Sequence, residues 1–155
     1  MHRKLQASLA IAALAISPLA HARENAPYPH EKLAAFVIDK LDLTSLPSSY
    51  RPKKEKGKKT ITDYGYTTQK LDETEALVAS SAGAYQLSIR ILQQTDSGIY
   101  ACVAQPAPDG AAPKTQSVVL LKRKEDTALL KGRESWKEFT GCPVIGGAES
   151  SGSDY

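Results

Sequence analysis

Apolar residues take a helical period in EKLAAFVIDKLD (31–42), where Leu33, Phe36, Val37 and Leu41 fall at i, i+3, i+4 and i+8. That spacing predicts one amphipathic helix with its apolar stripe turned toward a core. The segment LTSLPSSYRPKKEKGKK (43–59) then breaks the period with two prolines, several serines and a run of charge. It predicts an exposed loop.

Beyond the loop the pattern changes to period two. TITDYGYTT (60–68) is rich in Thr, Tyr and Ile, and AYQLSIRIL (84–92) alternates strictly, with Tyr85, Leu87, Ile89 and Ile91 on one side and Gln86, Ser88 and Arg90 on the other. Both predict strands. Turn chemistry at Thr95-Asp96-Ser97-Gly98 leads straight into IYACVAQ (99–105), so residues 84–105 predict a hairpin. After a loop from Pro106 to Lys114, TQSVVLLKR (115–123) predicts a third strand of the same ribbon. LDETEALVASS (71–81) fits either period and is assigned as strand by its place between strands. A further short strand is expected around Ala128 to Lys131. The tail GGAESSGSDY (146–155) is made mostly of Gly, Ser and acidic residues and predicts disorder. The expected fold is α+β: an N-terminal helix packed on a mostly antiparallel sheet of four to six strands, with one disulfide.

LSIRILQQTDSGIYAC (87–102) resembles the E-to-F passage of an immunoglobulin domain, with Leu87, Ile89, Leu92, Asp96, Gly98, Tyr100 and Cys102 at that passage's spacings. The resemblance implies a tyrosine corner at Tyr100, and a Cys102 paired with an upstream cysteine beside a Trp. No cysteine precedes Cys102, and the only Trp is Trp136. An immunoglobulin-like adhesion module therefore enters as an alternative to the α+β reading.

The first 22 residues run from a basic start (Arg3, Lys4) through an apolar stretch from Leu9 to Ile16 to Ala20-His21-Ala22. This is the pattern of a secretory signal peptide cleaved after Ala22, and its apolar stretch is too short to span a bilayer. Residues 23–145 then form a single domain, expected in the periplasm without a membrane anchor. Cleavage takes the formal charge from +3 to +1. In an oxidising compartment the two cysteines, Cys102 and Cys142, are expected to pair. Closing that 41-residue loop restricts the unfolded chain by about 4 kcal/mol.

Candidate chemistry is sparse. His30 is the only histidine after Ala22, at the start of the predicted helix, so multi-histidine metal sites and Ser-His-Asp arrangements lack their parts. Two cysteines so far apart match no zinc set, and no phosphate-cradling glycine motif occurs. The carboxylates Asp39, Asp42, Asp72, Glu73 and Glu75 lie in polar runs or near a helix end, where a solvated face is expected. Neither enzymatic activity nor a metal or cofactor is expected.

Charge instead concentrates in one loop. Arg51, Lys53, Lys54, Lys56, Lys58 and Lys59 surround a single Glu55, giving a local charge of +5. Nucleic acid is a poor match, because export removes the usual target and no aromatics interleave with the lysines. An acidic protein partner fits better. Tyr50, Tyr64 and Tyr66 are then the expected anchors, with Asp109 at the tip of the second loop. An exported, disulfide-stapled domain of this kind suggests an immunity protein that blocks a secreted toxin or envelope hydrolase; an accessory protein binding peptidoglycan or lipopolysaccharide is the alternative.

Overall fold

A computed structural model describes residues 28–107, 111–123 and 128–142. The signal segment, Asp109 and the tail lie outside these residues. The seven strands are β1 (Leu41–Asp42), β2 (Thr67–Leu71), β3 (Glu75–Ala79), β4 (Gln86–Thr95), β5 (Gly98–Gln105), β6 (Thr115–Arg123) and β7 (Leu130–Glu134). They form one sheet in the order β1-β7-β6-β5-β4-β3-β2, curled into a half-barrel. From β2 to β7 each strand pairs antiparallel with the next, and only β1 is parallel to its neighbour, β7. The described part of the molecule is thus mostly sheet, with more strands than the expected four to six and one short helix, α1 (Leu33–Lys40).

Alternation decides which side of each strand is buried. Leu87 and Ile89 of β4, Ile99, Ala101 and Val103 of β5, and Val119 and Leu121 of β6 join one core on the concave face. Leu33 and Val37 of α1 fill it from above, followed by Leu41, Leu43 and Leu46. The helix ends two residues earlier than its apolar period suggested, because Leu41 and Asp42 are taken into the sheet beside Leu130 and Lys131. Leu41 is buried in either conformation. Local periodicity therefore had no means of choosing between them.

The curl follows from the reach of this short segment. The Ala34 amide bonds to the Glu73 carbonyl at the β2–β3 turn, while Leu41 already pairs with β7. Eight helical residues extend only about 12 Å, whereas β3 and β7 would stand roughly 19 Å apart in a flat sheet. The sheet must bend to let both contacts form. Gly132 of β7 belongs to the same closure: a Cβ there would lie 2.8 Å from Leu46 Cδ2, so the missing side chain lets the Leu46 segment lie directly on the strand.

Two expectations are corrected. TITDYGYTT is mostly turn from Ile61 to Gly65, and only Thr67 and Thr68 enter β2. Asp63 explains the break, since its carboxylate accepts the amides of Lys59 (3.0 Å) and Thr60 (2.8 Å) and so offers the backbone an alternative to a ladder. The single meander also removes the immunoglobulin reading: Cys102 bonds downstream to Cys142, and there is one sheet where that fold has two.

Asp42 is the other departure, since it was expected on a solvated face and is 1% exposed. Its Oδ1 accepts the Thr44 amide (3.0 Å) and hydroxyl (2.6 Å), capping the short 3-10 turn Leu43–Ser45, and its Oδ2 lies 3.4 Å from Lys131 Nζ. Replacing a capping, buried carboxylate should be expensive. Asp42→Ala is expected to lower unfolding stability by about 2 kcal/mol and Asp42→Asn by less, read by urea denaturation.

Candidate functional site

The basic loop is built around tyrosines, and they face inward. Tyr50 and Tyr64 are 3% and 9% exposed and belong to the core, as do Leu46 and Ile61 on either side of the lysine run. Tyr66 is partly buried and stacks on both neighbours, with ring centroids 5.4 Å from Tyr64 and 4.8 Å from Tyr85. Tyr85 shares the parity of Leu87, which places it on the core side of the sheet next to β4. The three rings make a ladder from the sheet to the loop.

Hydroxyl groups then fasten the loop backbone. Tyr85 donates to the Tyr50 carbonyl (2.5 Å), and Tyr64 donates to the Lys53 carbonyl (3.2 Å). The Leu43 amide donates to the Lys59 carbonyl (2.8 Å), while Gln105 of β5 reaches the Ser49 carbonyl (2.6 Å). The chain is thus held on both sides of the charge run. Lys58 lies against this frame, paired with Glu55 at 2.7 Å and 5.6 Å from the centre of the Tyr64 ring.

Arg51, Lys53, Lys54, Lys56 and Lys59 are exposed, and among the described residues none of the five meets a carboxylate. These cations stand on a backbone tethered to the rest of the fold at Ser49, Tyr50, Lys53 and Lys59. The expected site residues therefore divide into two groups. Arg51, Lys53, Lys54, Lys56 and Lys59 face solvent and Lys58 lies against the frame, whereas Tyr50 and Tyr64 hold the loop down and are not surface anchors. Asp109 lies outside the described residues.

Electrostatics follow the same division. Hydrogen bonds from the Thr60 and Lys59 amides hold the Asp63 carboxyl below its ordinary range. Burial pushes the Tyr85 phenol far above its ordinary value, with Tyr66 and Tyr64 adding to the effect, and burial also raises Tyr66. Two of the carboxylates considered for acid–base work serve the fold: Asp42 caps a turn, and Asp72 accepts the Glu75 (2.6 Å) and Thr74 (3.0 Å) amides, which lower its pKa. No group of three or more potential metal ligands occurs among the described residues, and no helix there is long and apolar enough to cross a membrane.

The opposite face of the sheet is partly covered by the segment after β7. Phe139 packs on Tyr100 at 5.4 Å, Lys137 reaches Gln93 (2.7 Å) and sits 4.6 Å from the Tyr100 ring centre, and Cys142 bonds to Cys102 across a Cα separation of 5.8 Å. Trp136, in the same segment, is 88% exposed. It is the surface aromatic that the sequence reading passed over, and its lone place among Ser, Lys and Glu was the available sign. Trp is among the side chains enriched at binding hot spots.

The tyrosine frame makes a pH-dependent claim. Because folding raises the Tyr85 pKa above an unfolded value of 10.0, its contribution is complete below that pH and is lost as the unfolded chain ionises above it. The wild type is expected to lose stability above pH 10.0 more steeply than Tyr85→Phe, by up to about 1.4 kcal/mol per pH unit. Below that pH, Tyr85→Phe should be weaker by about 1 kcal/mol for the bond to Tyr50. Denaturant titrations of both proteins from neutral to alkaline pH check both signs.

Compared with known proteins, the chain matches no family model, no curated protein and no solved structure.

Proposed function

We propose that this chain is an exported binding protein, an immunity protein that neutralises a secreted antibacterial toxin or cell-envelope hydrolase by covering its active site. The observation that carries the reading is the basic loop on its tyrosine frame, with five exposed cations on a backbone fixed from both sides. A surface ordered before it meets its partner loses less conformational entropy on binding. Its charge would steer an acidic partner in and speed association.

Export is supported by the Cys102–Cys142 bond, which persists in oxidising compartments, and by the signal-like pattern ending at Ala22. A binding role is favoured over turnover because two of the carboxylates considered for acid–base work, Asp42 and Asp72, are engaged by turn amides. Trp136, 88% exposed in the segment on the opposite face, is a second apolar surface group apart from the loop. Lysine-rich loops also suit phosphate as point charges. Binding to lipopolysaccharide is therefore the alternative that the test must separate.

A strain lacking the protein is expected to be outcompeted in contact with its parent and to recover when the gene is restored. The variant with Lys53, Lys54, Lys56 and Lys59 all changed to Gln should restore survival poorly. Against the purified partner at low salt, that variant should associate about tenfold more slowly and with a weaker salt dependence. Equal survival of the deletion strain, together with retention of the protein on lipopolysaccharide, would replace the immunity reading with the envelope one.

A further inference from the structure

The face of the sheet opposite the basic loop holds a recess of about 300 Å³. Its floor is two adjoining cross-strand rows: Glu75, Arg90 and Cys102 are successive partners across β3, β4 and β5, and Ser88, Ala104 and Gln116 are partners across β4, β5 and β6. Pro106 and Pro113, from the β5–β6 connection, form one wall. The size lies at the lower end for small-molecule sites, about right for an amino-acid-sized group.

Arg90 gives the recess its chemistry. A guanidinium carries five N–H donors, and here Arg90 donates to the Gly141 carbonyl while meeting no carboxylate among the described residues. Its cross-strand neighbour Glu75 is engaged by Lys70 at 2.9 Å. Arg90 is therefore a half-buried cation with no carboxylate in direct contact among the described residues, standing beside the Glu75–Lys70–Asp72 cluster.

The position of that cation is set by the disulfide. Gly141 has φ +83°, a conformation that favours glycine, and a Cβ there would stand 3.5 Å from Arg90 Nη2. The guanidinium thus rests on bare backbone. Cys142 follows at once and is bonded to Cys102 in the floor of the recess. The same bond that closes the chain brings the Gly141 carbonyl to Arg90 and leaves its other N–H groups for a ligand.

We infer that this recess binds a carboxylate, received by the Arg90 guanidinium with the Ser88 hydroxyl beside it. Arg and carboxylate match as two forks, which gives direction as well as charge. Glu75 in the lining narrows the choice, because its negative charge opposes a doubly charged phosphate more strongly than a singly charged carboxylate. The carboxylate can be a free small acid or a side chain presented by a partner protein. The site is independent of the loop lysines and stands or falls apart from the immunity reading.

The test is a titration of the isotope-labelled, disulfide-bonded protein followed by amide chemical shifts. N-acetylglycine is expected to move the amides of Ser88, Arg90 and Ala104 with a dissociation constant on the order of 1 mM, and N-acetylglycinamide, which lacks the charge, should not. Arg90→Gln should weaken binding at least about tenfold and Arg90→Lys should fall between, since it keeps the charge without the fork. Gly141→Ala, with the disulfide verified by mass, should also weaken binding, because its strained positive φ shifts the carbonyl that holds the guanidinium. A melting temperature close to wild type shows that each variant is folded, and Arg90→Lys keeps the comparison informative should Arg90→Gln unfold. A blocked Gly-Glu-Gly peptide that binds more tightly than N-acetylglycine assigns the source to a protein side chain, and the reverse order assigns it to a free acid. The inference fails if N-acetylglycine moves no amide of the recess, if the amide analogue binds equally, if inorganic phosphate binds more tightly, or if folded Arg90→Gln and Arg90→Lys both bind like wild type.

Discussion

The fold depends on a short connection with two distant appointments. Between the amide of Ala34, tied to the β2–β3 turn, and Leu41, paired with β7, the chain has too little length to cross a flat sheet. Bending the sheet lets both contacts form and makes the concavity that Val37, Leu41, Leu43 and Leu46 fill. Apolar burial at about 25 cal/mol per Å² drives the closure, and the geometry of the connection decides its shape. The basic loop is the rim of that filling, which is why its tyrosines are part of the core and its lysines are not.

The strands divide two environments between odd and even positions. In β5, Ile99, Ala101 and Val103 face the filled concavity, while Tyr100 and Cys102 face outward. A half-barrel has no second sheet to cover its outer side, and a domain this small has little spare chain. The segment from Ser135 to Cys142 supplies partial cover through Phe139 and the disulfide, leaving an uncovered polar strip around Ser88 and Arg90. Two surfaces of different character result. One is a raised ring of lysines, and the other is a recess with a single guanidinium.

Much of this was legible in the residues, for reasons that also explain what was not. AYQLSIRIL alternates strictly, and IYACVAQ and TQSVVLLKR are apolar runs bounded by turn residues; they became the bodies of β4, β5 and β6, although β4 starts two residues later and ends three residues beyond its expected span. The disulfide was legible by elimination, since two cysteines allow one pair. TITDYGYTT was misleading because strand propensity is weak against the local captures made by Asp63 and Thr60. Tyr50, Tyr64 and Asp42 were misplaced because charged neighbours in sequence suggested water around them; Tyr50 is held by Tyr85 and Asp42 meets Lys131, both far away in the chain, while Tyr64 joins the same core cluster. The Arg90 recess has the same origin. Its parts are scattered from Glu75 to Gly141, and only strand pairing and the disulfide gather them.

The pairing of Leu41 with Leu130 has a kinetic meaning. A contact between positions so far apart forms only after the intervening meander exists, and contacts of that span are the slow ones in folding. Until β7 is available, β1 has nothing to pair with and the concavity stays open on one side. The chain is therefore kept from completing its native state while it is still being made, because its first strand waits for its last.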